Sequence, residues 1–218
     1  MIVVVDYGMG NVASVLNMGR KAGGDMRLSG DPAVVAAADK LILPGVGAFD
    51  RGMENLHRLG LVEAMNQAVF ERKAPMLGVC LGAQLFTRGS EEGRSPGLGW
   101  IDADTIRFRC DCAGSALKVP HMGWNHVEPA KDDAMLNGLP EDPRFYFVHS
   151  FHLACNDPSD VLLWATHGVR FPAGIRRGNI WGMQFHPEKS HRFGLALMRN
   201  FVSLPLPCSS PAPFPACC

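Results

Sequence analysis

Three stretches of this chain are apolar almost throughout rather than at every second position: IVVV (Ile2–Val5), KLILP (Lys40–Pro44) and APMLGVC (Ala74–Cys80). A strand with one face in water alternates, whereas a strand apolar at successive positions is covered on both faces. VASVLNMGRKAG and LVEAMNQAVFERK (Leu61–Lys73) carry apolar residues at helical spacing, and the first halts at Gly23-Gly24, a C-cap signal. Buried strands alternating with amphipathic helices predict an α/β fold, a doubly wound, mostly parallel central sheet with helices on both faces.

From about Gly97 the pattern changes. GLGWIDADTIRFRC, FYFVHSFHLAC, VLLWATHG and IWGMQF read as strands, with helical spacing returning only at HRFGLALMRNFVSL. This half is expected to be an antiparallel extension of the same domain, closed by a final helix. The last stretch, PLPCSSPAPFPACC (Pro205–Cys218), is proline-rich and low in complexity and is expected to be a disordered tail. The domain therefore spans residues 1–204. A chain of 218 residues suits one such domain.

Composition narrows the partners. Lys and Arg number 21 and Asp and Glu 21, so no electrostatic footprint for nucleic acid or an anionic membrane is expected. The longest apolar runs fall far below the ~20 residues of a membrane helix, and no secretory leader is expected, since no basic n-region followed by an apolar h-region is seen. Seven cysteines without a framework spacing point to a reducing, cytoplasmic setting. Cys110-Asp111-Cys112 and Cys217-Cys218 lack histidines at finger or ribbon spacing, so neither a metal nor another cofactor is expected.

Three glycine-rich turns close the buried strands: DYGMGN (Asp6–Asn11), PGVG (Pro44–Gly47) and GVCLGAQ (Gly78–Gln84). Carboxyl ends of parallel strands are where doubly wound sheets bind ligands. Gly-x-Cys-x-Gly has the form of a nucleophile elbow, its glycines removing Cβ atoms that would clash in the bend. A helix opening at Leu81 would direct its positive end at the sulfur. By itself the motif also suits a packed thiol. Of eight histidines, His186 in QFHPEKS stands out, because Pro187 biases it toward extended backbone. Side chains two apart then share a side, which places Glu188 to orient the imidazole. His121 and His126 are weaker candidates for the base. The expected nucleophile, base and orienting acid are Cys80, His186 and Glu188. The amides of Val46, in PGVG, and of Leu81 are the expected oxyanion donors.

With these residues in place, the chain resembles the class I (triad-type) glutamine amidotransferases, which carry PGVG, GVCLGAQ and HPE in that order. Within them it is similar to the glutaminase subunits of imidazole glycerol phosphate synthase. DYGMGN, SEEG (Ser90–Gly93), VPHMGWN (Val119–Asn125), FYFVHS (Phe145–Ser150) and GMQFHPEKS (Gly182–Ser190) carry that likeness. Ala83, where methionine is usual, His167, where tyrosine is usual, and the tail depart from the pattern. The resemblance implies a flavodoxin-like domain that hydrolyses glutamine through a cysteine thioester. It places Gly45, Gly47, Gln84, Glu92, Ser150 and Phe151 at the substrate. It also implies a heterodimer with a (β/α)8-barrel cyclase subunit, which uses channelled ammonia to form imidazole glycerol phosphate and AICAR. Asn11, Trp124, Tyr146 and Lys189 are the implied docking positions. The glutaminase subunits of anthranilate, carbamoyl phosphate and pyridoxal phosphate synthesis are the alternative relatives.

Overall fold

The computed structural model describes residues 1–109 and 118–206. The tail from Pro207 and the Cys110-Asp111-Cys112 segment lie outside the described residues. The first half runs β1 (Ile2–Val5), α1 (Val12–Lys21), β2 (Met26–Ser29), α2 (Pro32–Ala36), β3 (Lys40–Gly45) and α3 (Phe49–Arg58). It continues through α4 (Leu61–Asn66), β4 (Met76–Cys80) and α5 (Leu81–Gln84). The second half holds β5 (Ala103–Arg107), β6 (His121–His126), β7 (Glu128–Pro129), β8 (Arg144–His149) and β9 (Phe151–Cys155). It ends with β10 (Val161–His167), β11 (Val169–Arg177), β12 (Ile180–Met183) and α6 (His191–Ser203).

Eight strands form the main sheet in the order β2-β1-β3-β4-β12-β11-β10-β7. The first five are parallel, in the flavodoxin-like order, and the last three continue the sheet antiparallel. Buried residues divide between the two faces. Val4, Ile42 and Leu77 join one core with Leu16 of α1 and Leu197 of α6. Val3, Leu41, Leu43 and Met76 join the other with Val35, Met53 and Met65. Both sides of each strand meet helices, which is why these strands do not alternate.

Several elements differ from the sequence expectation. IWGM is not antiparallel to the first half: β12 lies parallel beside β4, with Gly182 opposite Gly78. FYFVHSFHLAC breaks at Ser150, so β8 pairs with β6 while β9 pairs with β5. The helix expected over Leu61–Lys73 widens into a π-helical turn at Gln67–Glu71, with Arg72 N–H bonding the Gln67 carbonyl. There the Asn179 side chain takes the Val69 carbonyl at 2.9 Å, withdrawing it from the helical ladder. Strands β2, β6 and β11 and helices α2 and α3 carry weaker signals. Of β2 only Met26 is buried, and β11 contains Pro172 and Gly174, residues that weaken a strand reading.

Candidate functional site

The elbow forms where β4 meets α5. Cys80 stands at φ +54°, ψ −110°, outside the regions that L-residues favour. Its flanking glycines answer to sterics. A Cβ on Gly78 would come 2.5 Å from the Phe86 ring, and one on Gly82 would overlap the Leu43 carbonyl oxygen. The bend is held between β3 and α5 because both positions lack side chains. Strain at one non-glycine residue is characteristic of catalytic turns.

His186 and Glu188 arrive from the other end of the chain, just beyond β12. His186 Nδ1 and Glu188 Oε1 are 2.8 Å apart, both side chains almost wholly buried. The contact does not arise as the sequence suggested. His186 is extended, but Pro187–Lys189 forms a 3-10 turn, and that turn brings the carboxylate back under the ring. Ser190 Oγ donates to the His186 carbonyl at 2.6 Å and accepts from the Tyr146 amide at 3.0 Å, tying the turn to β8. Nε2 of His186 is buried without an aligned hydrogen-bond partner, on the side of the Cys80 sulfur. Burial opposes the imidazolium, but Cys80 and Glu188 outweigh it and raise the pKa to about 9. The environment thus favours a charged imidazole beside the sulfur.

In front of Cys80 lies a cavity of about 230 Å³ walled by Val46, Gly47, Leu81, Gln84, Glu92, Ser150 and Phe151. Gln84 sits one helical turn beyond the cysteine, its Nε2 donating to the Phe151 carbonyl at 3.1 Å. Glu92 accepts from the Phe49 amide at 2.8 Å, which anchors SEEG to the start of α3. Gly45 stands apart from these: it is buried behind the cavity wall, at the end of β3 opposite Cys80.

Of the four positions that the resemblance implies for docking, three gather around Tyr146. Trp124 and Tyr146 are opposite one another in the β6–β8 ribbon with ring centroids 6.4 Å apart. Lys189 Nζ lies 5.7 Å from the Tyr146 ring centre. Asn11 caps α1, accepting from the Ser14 amide at 3.3 Å, and α1 packs against the Pro187–Lys189 turn. Trp124, 45% exposed, stacks against His191 at 5.5 Å, and Met122 is more exposed still.

His121 and His126 serve elsewhere. His126 pairs with Asp142 at 2.7 Å near the surface. His121 belongs to a buried chain of hydrogen bonds: His149 Nδ1 donates to the Phe151 carbonyl at 2.8 Å. His121 Nδ1 then donates to His149 Nε2 at 3.0 Å, and Asn125 donates to His121 Nε2 at 3.2 Å. One set of tautomers satisfies every link with both rings neutral. Sequence reasoning missed this chain and also Gln184, whose Nε2 lies 3.9 Å from the Cys80 sulfur and whose Oε1 accepts from Gln84 at 3.3 Å. The only signal was Gln184's place two residues before His186 in an extended segment. Among the described residues, no cluster of three His, Cys, Asp or Glu side chains is placed to hold a metal ion, and no helix is long and apolar enough to cross a membrane.

Comparison with known proteins agrees with this architecture. The family model for glutamine amidotransferase class-I matches residues 3–204. An imidazole glycerol phosphate synthase subunit, HisH 2 of Pseudomonas aeruginosa, is 50% identical over 94% of this chain and all of its own length. The HisH 2 of Methanococcus maripaludis is 48% identical over 93% of this chain and 98% of its own. Among solved structures, PurLQS from Thermotoga maritima superposes with TM-score 0.70 at 19% identity, covering 92% of this chain and 96% of that one. The glutaminase domain of CTPS from Trypanosoma brucei reaches 0.61 at 14% identity, covering 92% of each chain. Those two likenesses are of fold. Identity near one half, sustained across almost the whole length of both chains, is a likeness of lineage: the chain belongs to the class-I glutamine amidotransferases, in the group of imidazole glycerol phosphate synthase HisH subunits.

Proposed function

We propose that residues 1–204 form a glutaminase domain, with residues 205–218 an appended tail, and that Cys80, His186 and Glu188 are its catalytic groups. The Cys80 thiolate attacks the side-chain amide carbon of glutamine. The amides of Val46 and Leu81 receive the oxyanion, and the imidazolium of His186 gives its proton to the departing nitrogen, releasing ammonia. The γ-glutamyl thioester is then cleaved by water, from which neutral His186 removes a proton as the new C–O bond forms and the C–S bond breaks. Glu188 holds Nδ1 protonated throughout, keeping Nε2 as the working nitrogen.

The observation that carries this reading is the buried 2.8 Å contact between His186 and Glu188, together with the strained Cys80 elbow, whose sulfur acts on the same imidazole. Gly47, Gln84, Glu92, Ser150 and Phe151 line the glutamine site, with Gly45 backing it from behind the wall. Ammonia passes to a (β/α)8-barrel cyclase subunit docked on the face of Asn11, Trp124, Tyr146 and Lys189, and there completes imidazole glycerol phosphate and AICAR. The exposed tryptophan beside a tyrosine supports that face as an interface. Neither nucleic acid nor a membrane enters this reading, and the setting is cytoplasmic. Co-purification with the cyclase subunit, followed by glutamate and ammonia release from glutamine, tests it. Turnover in the complex that vanishes with Cys80→Ala is expected. Equal turnover from Cys80→Ala would overturn the assignment of the nucleophile.

A further inference from the structure

Tyr7, in the DYGMGN turn after β1, is fully buried, and its hydroxyl has no hydrogen-bond partner among the described residues. A phenylalanine would fill the same space without burying an unpaired polar atom. The hydroxyl lies behind the PGVG turn. A Cβ placed on Gly45 would come 2.5 Å from the Tyr7 oxygen, 2.8 Å from Leu81 Cβ and 2.9 Å from the Gly82 amide nitrogen. Its neighbours press on the same turn: a Cβ on Gly10 would meet the Gly45 amide nitrogen at 3.1 Å, and one on Gly47 would meet Met9 at 2.8 Å. The turn after β1 is therefore the inner support of the turn that carries Val46.

Val46 is flanked by Gly45 and Gly47, the latter at φ +124°, so few side-chain atoms resist rotation of the peptides around it. A trans peptide holds its N–H and C=O on opposite sides, so a Gly45–Val46 peptide that aims its N–H into the cavity turns its carbonyl away from it, and the Tyr7 hydroxyl, 2.5 Å from where a Gly45 Cβ would stand, is the buried donor at hand. A carbonyl arriving there without a donor would be left unsatisfied. Burial, followed by the nearby Cys80, pushes the Tyr7 pKa upward, so the phenol stays protonated and always has a hydrogen to give.

We propose that Tyr7 is a positioning residue of this centre: its hydroxyl takes a backbone carbonyl of the Gly45–Val46 turn when that turn presents its amide to the substrate. This rests on the glutaminase reading above and adds to it a residue that acts through the oxyanion turn.

The test compares wild type and Tyr7→Phe, each as the full chain in complex with the cyclase subunit. Glutamine kcat and KM, the thermal midpoint and the pH profile of Cys80 alkylation by iodoacetamide are measured for both. We expect kcat to fall about tenfold, as for one lost hydrogen bond made in the transition state. KM should stay within about twofold, the midpoint should hold or rise, and the alkylation profile should not move. An unchanged kcat, or a loss accompanied by a lower thermal midpoint, overturns the proposal. A displaced alkylation profile would assign the hydroxyl to the sulfur and overturn it equally. A wild-type complex that releases no ammonia would instead defeat the glutaminase reading itself.

Discussion

The α-carbon of Gly82 rests against the carbonyl oxygen of Leu43, closer than any side chain would permit. That contact locks the start of α5 onto the end of β3 and holds the Cys80 bend in place between them. Gly82→Ala must push the two elements apart, a form of overpacking that costs about 1–3 kcal/mol. We expect a lower thermal midpoint and loss of most glutamine turnover in the cyclase complex, since the sulfur shifts with the bend. A variant with wild-type turnover would show that the close approach is not what positions Cys80.

Glu188 accepts from His186 Nδ1 in a buried setting. Glu188→Gln retains the shape but can present an amide N–H to the ring, turning the tautomer the wrong way. Turnover is expected to drop by about 10²–10⁴, the range of acid–base catalysis. Steady-state ammonia release provides the measure, and a fall smaller than threefold would remove Glu188 from its orienting role.

The neutral pair His121 and His149 makes the fold sensitive to acid. Burial lowers His149 to about 3, against the pull of its bond to the Phe151 carbonyl, and lowers His121 to about 4, with His167 adding to the effect. Unfolded histidine titrates near 6.5. Between these values the unfolded chain binds more protons, so stability is complete above about pH 6.5 and declines as pH falls toward 4 and below. His149 alone should cost on the order of 2 kcal/mol between pH 7 and pH 5. Urea unfolding of wild type and His149→Gln at the two pH values is the check, and the variant should show the flatter dependence. Equal slopes would contradict the assignment.

Lys40 is buried in β3 and donates to the carbonyls of Phe201, Val202 and Leu204 at 3.1, 2.5 and 2.6 Å. It thus caps the end of α6 from inside the sheet, satisfying acceptors that a helix terminus leaves over. Lys40→Met should destabilise the domain by about 1–3 kcal/mol. Amide exchange should accelerate around residues 200–204, while turnover in the complex stays close to wild type because the site lies at the opposite end of β3. Unaltered exchange there would rule out the capping role.

Trp124 and Met122 are exposed on the β6–β8 ribbon. If this face receives the cyclase, Trp124→Ala removes a central aromatic anchor, at a cost of about 2 kcal/mol or roughly thirtyfold in Kd. The free subunit should unfold at the same temperature as wild type. Titration calorimetry gives the affinity, and an unaltered Kd would move the interface elsewhere.

Much of this could be read from local chemistry. The apolar runs at β1, β3 and β4 announced a sheet covered on both faces, because only burial on two sides removes the alternation of polar residues. The glycines around Cys80 announced a bend, because backbone that leaves the favoured regions must shed side chains nearby. The nearness of His186 to Glu188 was also legible, although the 3-10 turn that achieves it was not. What lay beyond the sequence were relations between distant segments. Nothing local to IWGM says that it runs parallel beside β4, or that Gln184 thereby comes within 3.9 Å of a sulfur 104 positions earlier. Tyr7 and the His121–His149 chain were invisible for the same reason. Local composition sets which segments must be buried and where backbone must bend, whereas the partners of a buried hydroxyl or imidazole depend on strand order and register, which only the packed whole decides.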